Sequence, residues 1–96
     1  MKFDAARLKK AFNKAVDAHK LNGQNPTQVR PKIKSISQRR PATADGEDFR
    51  TLVYANGMEF VIDEASLASI VHSYTALVAQ LTGDATLIEK SFFDEE

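Results

Sequence analysis

Ninety-six residues suffice for one domain with a single core, and 43% hydrophobic content is that of a folded chain rather than a disordered one. With no cysteine there can be no disulfide framework, cysteine-based zinc site or cysteine nucleophile. The net charge of zero hides a division: eleven Lys or Arg against two acids through Arg40, then two bases against eleven acids.

A chain that is +9 in front and −9 behind reads as a dipole. Such a molecule is expected to meet partners of opposite sign: nucleic acid, an acidic protein surface, or a second copy of itself. Screening decays over roughly 8 Å at physiological salt, less than the radius of about 13 Å expected for a domain this size, so the two faces could act independently. Met1-Lys2-Phe3-Asp4 leads into a charged segment without the apolar stretch of a secretory signal, and no run of eighteen apolar residues could span a membrane. A soluble protein of the cytoplasm, of a cell or of an infected host cell, is the expectation.

Asp4 to about Leu21 predicts a helix, with Ala5, Leu8, Phe12, Ala15, Val16 and His19 on one arc. Asp4 is placed to cap it, Phe3 to staple onto Leu8, and Asn22-Gly23 to stop it. The stretch 22–48 holds all three prolines and reads as a flexible basic arm or loop. Within it one strand is expected near Val29 to Ser37. Pro31 puts that strand at a sheet edge, and the three-residue step from Ile33 to Ile36 suggests a bulge or a short turn of helix. Pro41 to Asp48 reads as a mobile loop.

Asn56-Gly57 predicts a hairpin closed by a two-residue type I′ turn. That closure pairs Ala55 with Met58, Val53 with Phe60 and Thr51 with Ile62 on the face expected to meet the core. It pairs Tyr54 with Glu59, Leu52 with Val61 and Arg50 with Asp63 on the other, the last as an ion pair. A second helix is expected from Asp63 or Glu64 to about Thr82, capped by Asp63, stapled by Ile62 on Leu67 and stopped at Gly83. Its apolar stripe is Leu67, Ile70, Val71, Tyr74, Leu77, Val78 and Leu81. A turn or short helix follows, with Thr86 and Glu89 spaced as a capping box, and then the acidic-aromatic tail 91–96. The fold class is therefore α+β: one domain, 1–96, with a helix, a small antiparallel sheet of an edge strand plus a hairpin, and a helix packed on that sheet.

Three features are candidates for function. Arg7, Lys10 and Lys14 on the first helix and Arg30, Lys32, Lys34, Arg39 and Arg40 in the arm suit phosphates or an acidic partner, because flexible cations need no fixed geometry there. The plain alternative is a charged edge strand that resists aggregation. The back of the second helix (Ala65, Ala68, Ser69, His72, Ala76 and Ala79) is small and neutral, as an oligomer interface would be. The first helix could equally cover it. Phe92, Phe93 and Asp94 could dock as a linear motif, or the two phenylalanines could complete the core.

No cofactor, metal site or small-molecule substrate is indicated. His19 and His72 have no acid at ligand spacing, and Asp45, Gly46, Glu47 and Asp48 lack the alternating ligands of a calcium loop. No phosphate loop, nucleophile elbow or rigidly placed carboxylate pair occurs. The expectation is a non-enzymatic binding protein acting through protein–protein contacts, a regulator, adaptor or phage- or plasmid-type inhibitor, homodimeric in one version. The alternative is a nucleic-acid binder using the first helix and residues 30–40.

Overall fold

Asp4 starts the first helix as its sequence requires. Its Oδ1 accepts from the Arg7 N–H at 3.0 Å, satisfying an amide that has no partner within the helix. The computed structural model describes residues 2–21, 29–37, 40–41, 48–89 and 91–94. In it β1 (Lys2–Phe3) leads into α1 (Ala5–Leu21), whose buried arc is Leu8, Ala11, Phe12, Ala15, Val16 and His19. The expected stop at Asn22-Gly23 lies outside the described residues.

The sheet is antiparallel and three strands wide. At its centre is β4 (Asp48–Tyr54), with β2 (Ile33–Ile36) and β3 (Arg40–Pro41) along one side and β5 (Glu59–Asp63) along the other. The proline-flanked strand therefore lies at an edge. Its register shifts between Ile33 and Ser35, the irregularity that the three-residue isoleucine step called for. Most of the expected loop from Pro41 to Asp48, residues 42–47, lies outside the described residues, as does the stretch 22–28.

The hairpin forms where expected but in a different register. Leu52 faces Phe60, Val53 faces Glu59 and Thr51 faces Val61, one residue away from the pairing that a type I′ turn would give. A type I′ turn needs positive φ at both central residues. Here Gly57 has φ 91°, while no described non-glycine residue has positive φ. Gly57 N–H instead donates to Tyr54 O at 3.0 Å and Tyr54 N–H to Met58 O at 2.9 Å, so Ala55, Asn56 and Gly57 form a three-residue connection. A slip of one residue exchanges the faces. On β4 Leu52 and Tyr54 thus enter the core while Thr51 and Val53 turn outward, and Val61 of β5 stays on the outer face where it was expected. The expected Arg50–Asp63 ion pair is lost in the same shift. Arg50 lies opposite Ile62, and its Nε donates to Glu64 Oε2 at 2.7 Å.

The second helix, α2 (Glu64–Thr82), has the predicted ends: Asp63 Oδ2 accepts from Ser66 N–H at 2.9 Å, and Gly83 takes the left-handed conformation at φ 74°. Its buried arc is turned from the expected stripe. Leu67, Val71, Tyr74 and Val78 are buried, but so are Ala68, Thr75 and Ala79, whereas Ile70, Leu77 and Leu81 remain exposed. The reason is that α2 has two neighbours. It packs against α1 as well as against the sheet, so the buried arc follows both. Phe12 of α1 joins the layers, 5.1 Å from the Tyr74 ring and 6.2 Å from the Tyr54 ring.

A 3₁₀ turn at Ala85–Leu87 is capped by Asp84 rather than by a box between Thr86 and Glu89. Finally β6 (Phe93–Asp94) pairs antiparallel with β1, setting Phe3 against Phe93 with ring centroids 5.4 Å apart. One α+β unit results, with both helices against one face of the sheet.

Candidate protein-binding groove

The basic residues do not converge. Arg7, Lys10 and Lys14 follow one another along an exposed side of α1, but acids from the other half of the chain approach them. Arg7 Nη2 lies 3.0 Å from Glu89 Oε2, and Lys14 is close enough to contribute to holding the Asp84 carboxyl below its ordinary pKa, after the larger effect of hydrogen bonds from Thr86. Lys32 Nζ meets Asp17 Oδ1 at 2.9 Å. Lys10, Lys14 and Lys34 form no ion pair among the described residues. Arg39 lies outside the described residues, and Arg40 is placed only by its backbone in β3. The polarity of the sequence is thus partly interleaved once the chain folds.

The neutral back of α2 is also divided. Ala68 and Ala79 are buried within the monomer, and His72 is half-buried with its ring stacked 4.6 Å from that of Phe92. Only Ala65, Ser69 and Ala76 stay exposed. Phe92 itself is 0% exposed and Phe93 is half-buried in the β1–β6 pair, so the two aromatic anchors of the tail belong to the core. Asp94 is placed only by its backbone, and residues 95–96 lie outside the described residues. No group of three or more potential metal ligands occurs among the described residues.

The structure instead leaves exposed several apolar residues expected in the core. Phe60 on the inner face of β5 is 45% exposed, Met58 at the hairpin end 53%, and Leu77 on α2 49%. Ile70 and Leu81 are exposed beside Leu77. Met58, Phe60 and Ile70 line a groove of about 410 Å³, together with Leu52, Tyr54, Val61 and Ile62. Arg30 and Pro31 line it as well. A second hollow of about 430 Å³ continues past Ile70 to Ser73 and Leu77 and shares Arg30 with the first. The sequence carried one signal for it. That signal is only the stripe itself, which has the ordinary width of a core-facing helix; its Ile70, Leu77 and Leu81 side is left exposed because the buried arc turns toward Ala68, Thr75 and Ala79.

Among the described residues, Arg30 is the polar residue that lines both hollows, and Tyr74 lines the second. Arg30 lies over the Tyr74 ring, its guanidinium carbon 5.9 Å from the centroid. The Tyr74 hydroxyl shares a 2.9 Å hydrogen bond with Nδ1 of the buried His19. Burial pushes the Tyr74 pKa above its ordinary value, and a backbone hydrogen bond and the charge of Arg30 pull partly against that shift. Such a site offers a large apolar contact and one cation. No helix among the described residues is long and apolar enough to cross a membrane. No family model, curated protein or solved structure matches the chain, so the reading of the groove rests on its own geometry.

Proposed function

We propose that this chain is a non-enzymatic protein-binding module that takes a partner into the groove between α2 and the β4–β5 hairpin, acting as a regulator, adaptor or inhibitor. One observation carries the reading: large apolar side chains from two separate elements stay exposed around two adjoining hollows, Phe60 and Met58 lining one, Leu77 the other, and Ile70 both. Scattered exposed apolar residues are ordinary, but a contiguous set around a concavity is how a contact surface is built. The competing nucleic-acid reading has less support, because Glu89 and Asp17 already pair with Arg7 of α1 and with Lys32 beside β2.

The test is affinity capture by the wild type and by the double variant Phe60→Ser/Leu77→Ser, each with and without nuclease. A partner protein held by the wild type, insensitive to nuclease and lost with the double variant is the expected result. Retention that disappears on nuclease treatment would transfer the function to phosphate contacts. Equal retention by both proteins would remove the groove from the account.

A further inference from the structure

We infer that the segment accepted by this groove carries an aspartate or glutamate, and that Arg30 reads it. The inference rests on the protein-binding reading above and adds the chemistry of the partner.

Among the described residues Arg30 is the one charged side chain lining either hollow, and it lines both. It is exposed, and among the described residues no carboxylate lies within ion-pair distance of it. The other arginines whose side chains are described are already matched inside the protein, Arg7 with Glu89 and Arg50 with Glu64. Arg30 is also held in position. Pro31 restricts the backbone beside it, and its guanidinium lies over a Tyr74 ring that is tied to His19.

An apolar segment seated in the groove would strip water from this guanidinium. Without an acceptor, its N–H groups would be left desolvated and unmatched, which penalises a wholly apolar occupant. A carboxylate satisfies the planar fork with two parallel hydrogen bonds, and the surrounding apolar side chains strengthen them. A cationic segment would meet like charge at the same point. The site therefore favours one class of segment and disfavours two others, which is how specificity arises.

The test is selection of a displayed library of random peptides on the wild type and on Arg30→Glu and Arg30→Gln, with thermal unfolding to show that each variant is folded. Peptides selected on the wild type should be apolar with a recurrent Asp or Glu, and Arg30→Glu should select Lys or Arg at that place. Changing the acid of a selected peptide to its amide should weaken binding to the wild type roughly ten- to a hundredfold. The same change should have almost no effect on binding to Arg30→Gln, which also carries the test if Arg30→Glu does not fold.

Peptides without a preferred acid, or one set selected equally by all three proteins, would overturn the inference while leaving an apolar protein-binding groove intact. No selection on the wild type, with capture indifferent to Phe60→Ser/Leu77→Ser, would overturn the inference and the reading beneath it. Concentration-dependent self-association abolished by Phe60→Ser would make the occupant a second copy, and would also overturn the inference.

Discussion

The two edges of the sheet are finished in opposite ways. At the β2 edge the side-chain amide of Asn13 acts as a missing strand: its Nδ2 donates to Ile33 O at 3.1 Å, and its Oδ1 accepts from Ile33 N–H at 2.7 Å. The Lys32–Asp17 pair beside it adds a second tie between α1 and that edge. At the β5 edge no strand follows among the described residues, and Phe60 and Val61 project from the two faces while 45% and 68% exposed. A bare apolar edge invites association, so proteins usually blunt it with charge or cover it. This chain seals one edge with its own helix and leaves the other beside the groove. The asymmetry supports the proposed contact surface better than the charge of the sequence does.

The sharpest way to break the comparison is to weigh one aromatic residue from each side. Phe12 is fully buried where α1 meets Tyr54 and Tyr74, so Phe12→Ala should lower unfolding free energy by about 3–5 kcal/mol in a denaturant titration. Phe60→Ala, on the open side, should change it by about 1 kcal/mol or less. Equal losses would show that the groove is part of the core and not a surface awaiting a partner.

A second expectation concerns the end of the sheet. Arg50 Nε meets Glu64 with both side chains 13% exposed, while its Nη1 donates to Ser37 O at 2.8 Å and its guanidinium covers the Phe3 ring at 4.9 Å. Arg50→Met would strand Glu64 without its partner and should destabilise by about 2–4 kcal/mol, whereas the same change in a Glu64→Gln background should cost clearly less. A double-mutant cycle measures the difference. A coupling near zero would mean that the arginine works by packing alone.

Asn13→Ala probes the seal itself. It leaves the N–H and C=O of Ile33 without protein partners and should cost about 1–3 kcal/mol. Asn13→Asp keeps the acceptor for Ile33 N–H but sets a carboxylate against its carbonyl oxygen, so an intermediate loss is expected. Sedimentation should also show that Asn13→Ala self-associates more strongly than the wild type. Without that change, α1 would be sealing the edge by bulk rather than by hydrogen bonding.

Much of this arrangement was legible because it is local. The arc of α1, the Asp4 and Asp63 caps, the stop at Gly83 and the bulged edge strand each depend on residues within a few positions of one another. The hairpin was legible in place but not in register, since Asn-Gly suits both a two-residue turn and the second half of a three-residue one. Helix backbone at Asn56, rather than a positive φ, would select the latter, and nothing in the flanking alternation distinguishes them. The buried arc of α2 was illegible beyond its centre. Whether Ala79 or Leu77 is covered depends on where α1 lies, a matter of tertiary packing. Asn13 gave no signal at all, because its role exists only once β2 reaches it. The groove was misread for the same reason: its residues look like core until the neighbours are counted.

The smallest effect tests how α2 is fastened to the open strand. Hydrogen bonds from Ser66, its hydroxyl first and then its backbone N–H, hold the Asp63 carboxyl below the ordinary 3.8. A carboxyl whose pKa is depressed by folding stabilises the native state while ionised. Its contribution is therefore intact above the unfolded value and is lost as the pH falls through the folded one. At neutral pH, Asp63→Ala should cost about 0.5–2 kcal/mol, the usual value of a helix cap. Below the folded pKa the gap between variant and wild type should narrow. Asp63→Asn keeps an oxygen for the Ser66 N–H but cannot ionise, so it should be nearly as stable as the wild type and lack this part of the acid dependence. Parallel acid titrations of wild type and Asp63→Asn would show instead that the cap acts through geometry alone, and α2 would then be anchored to β5 by its packing.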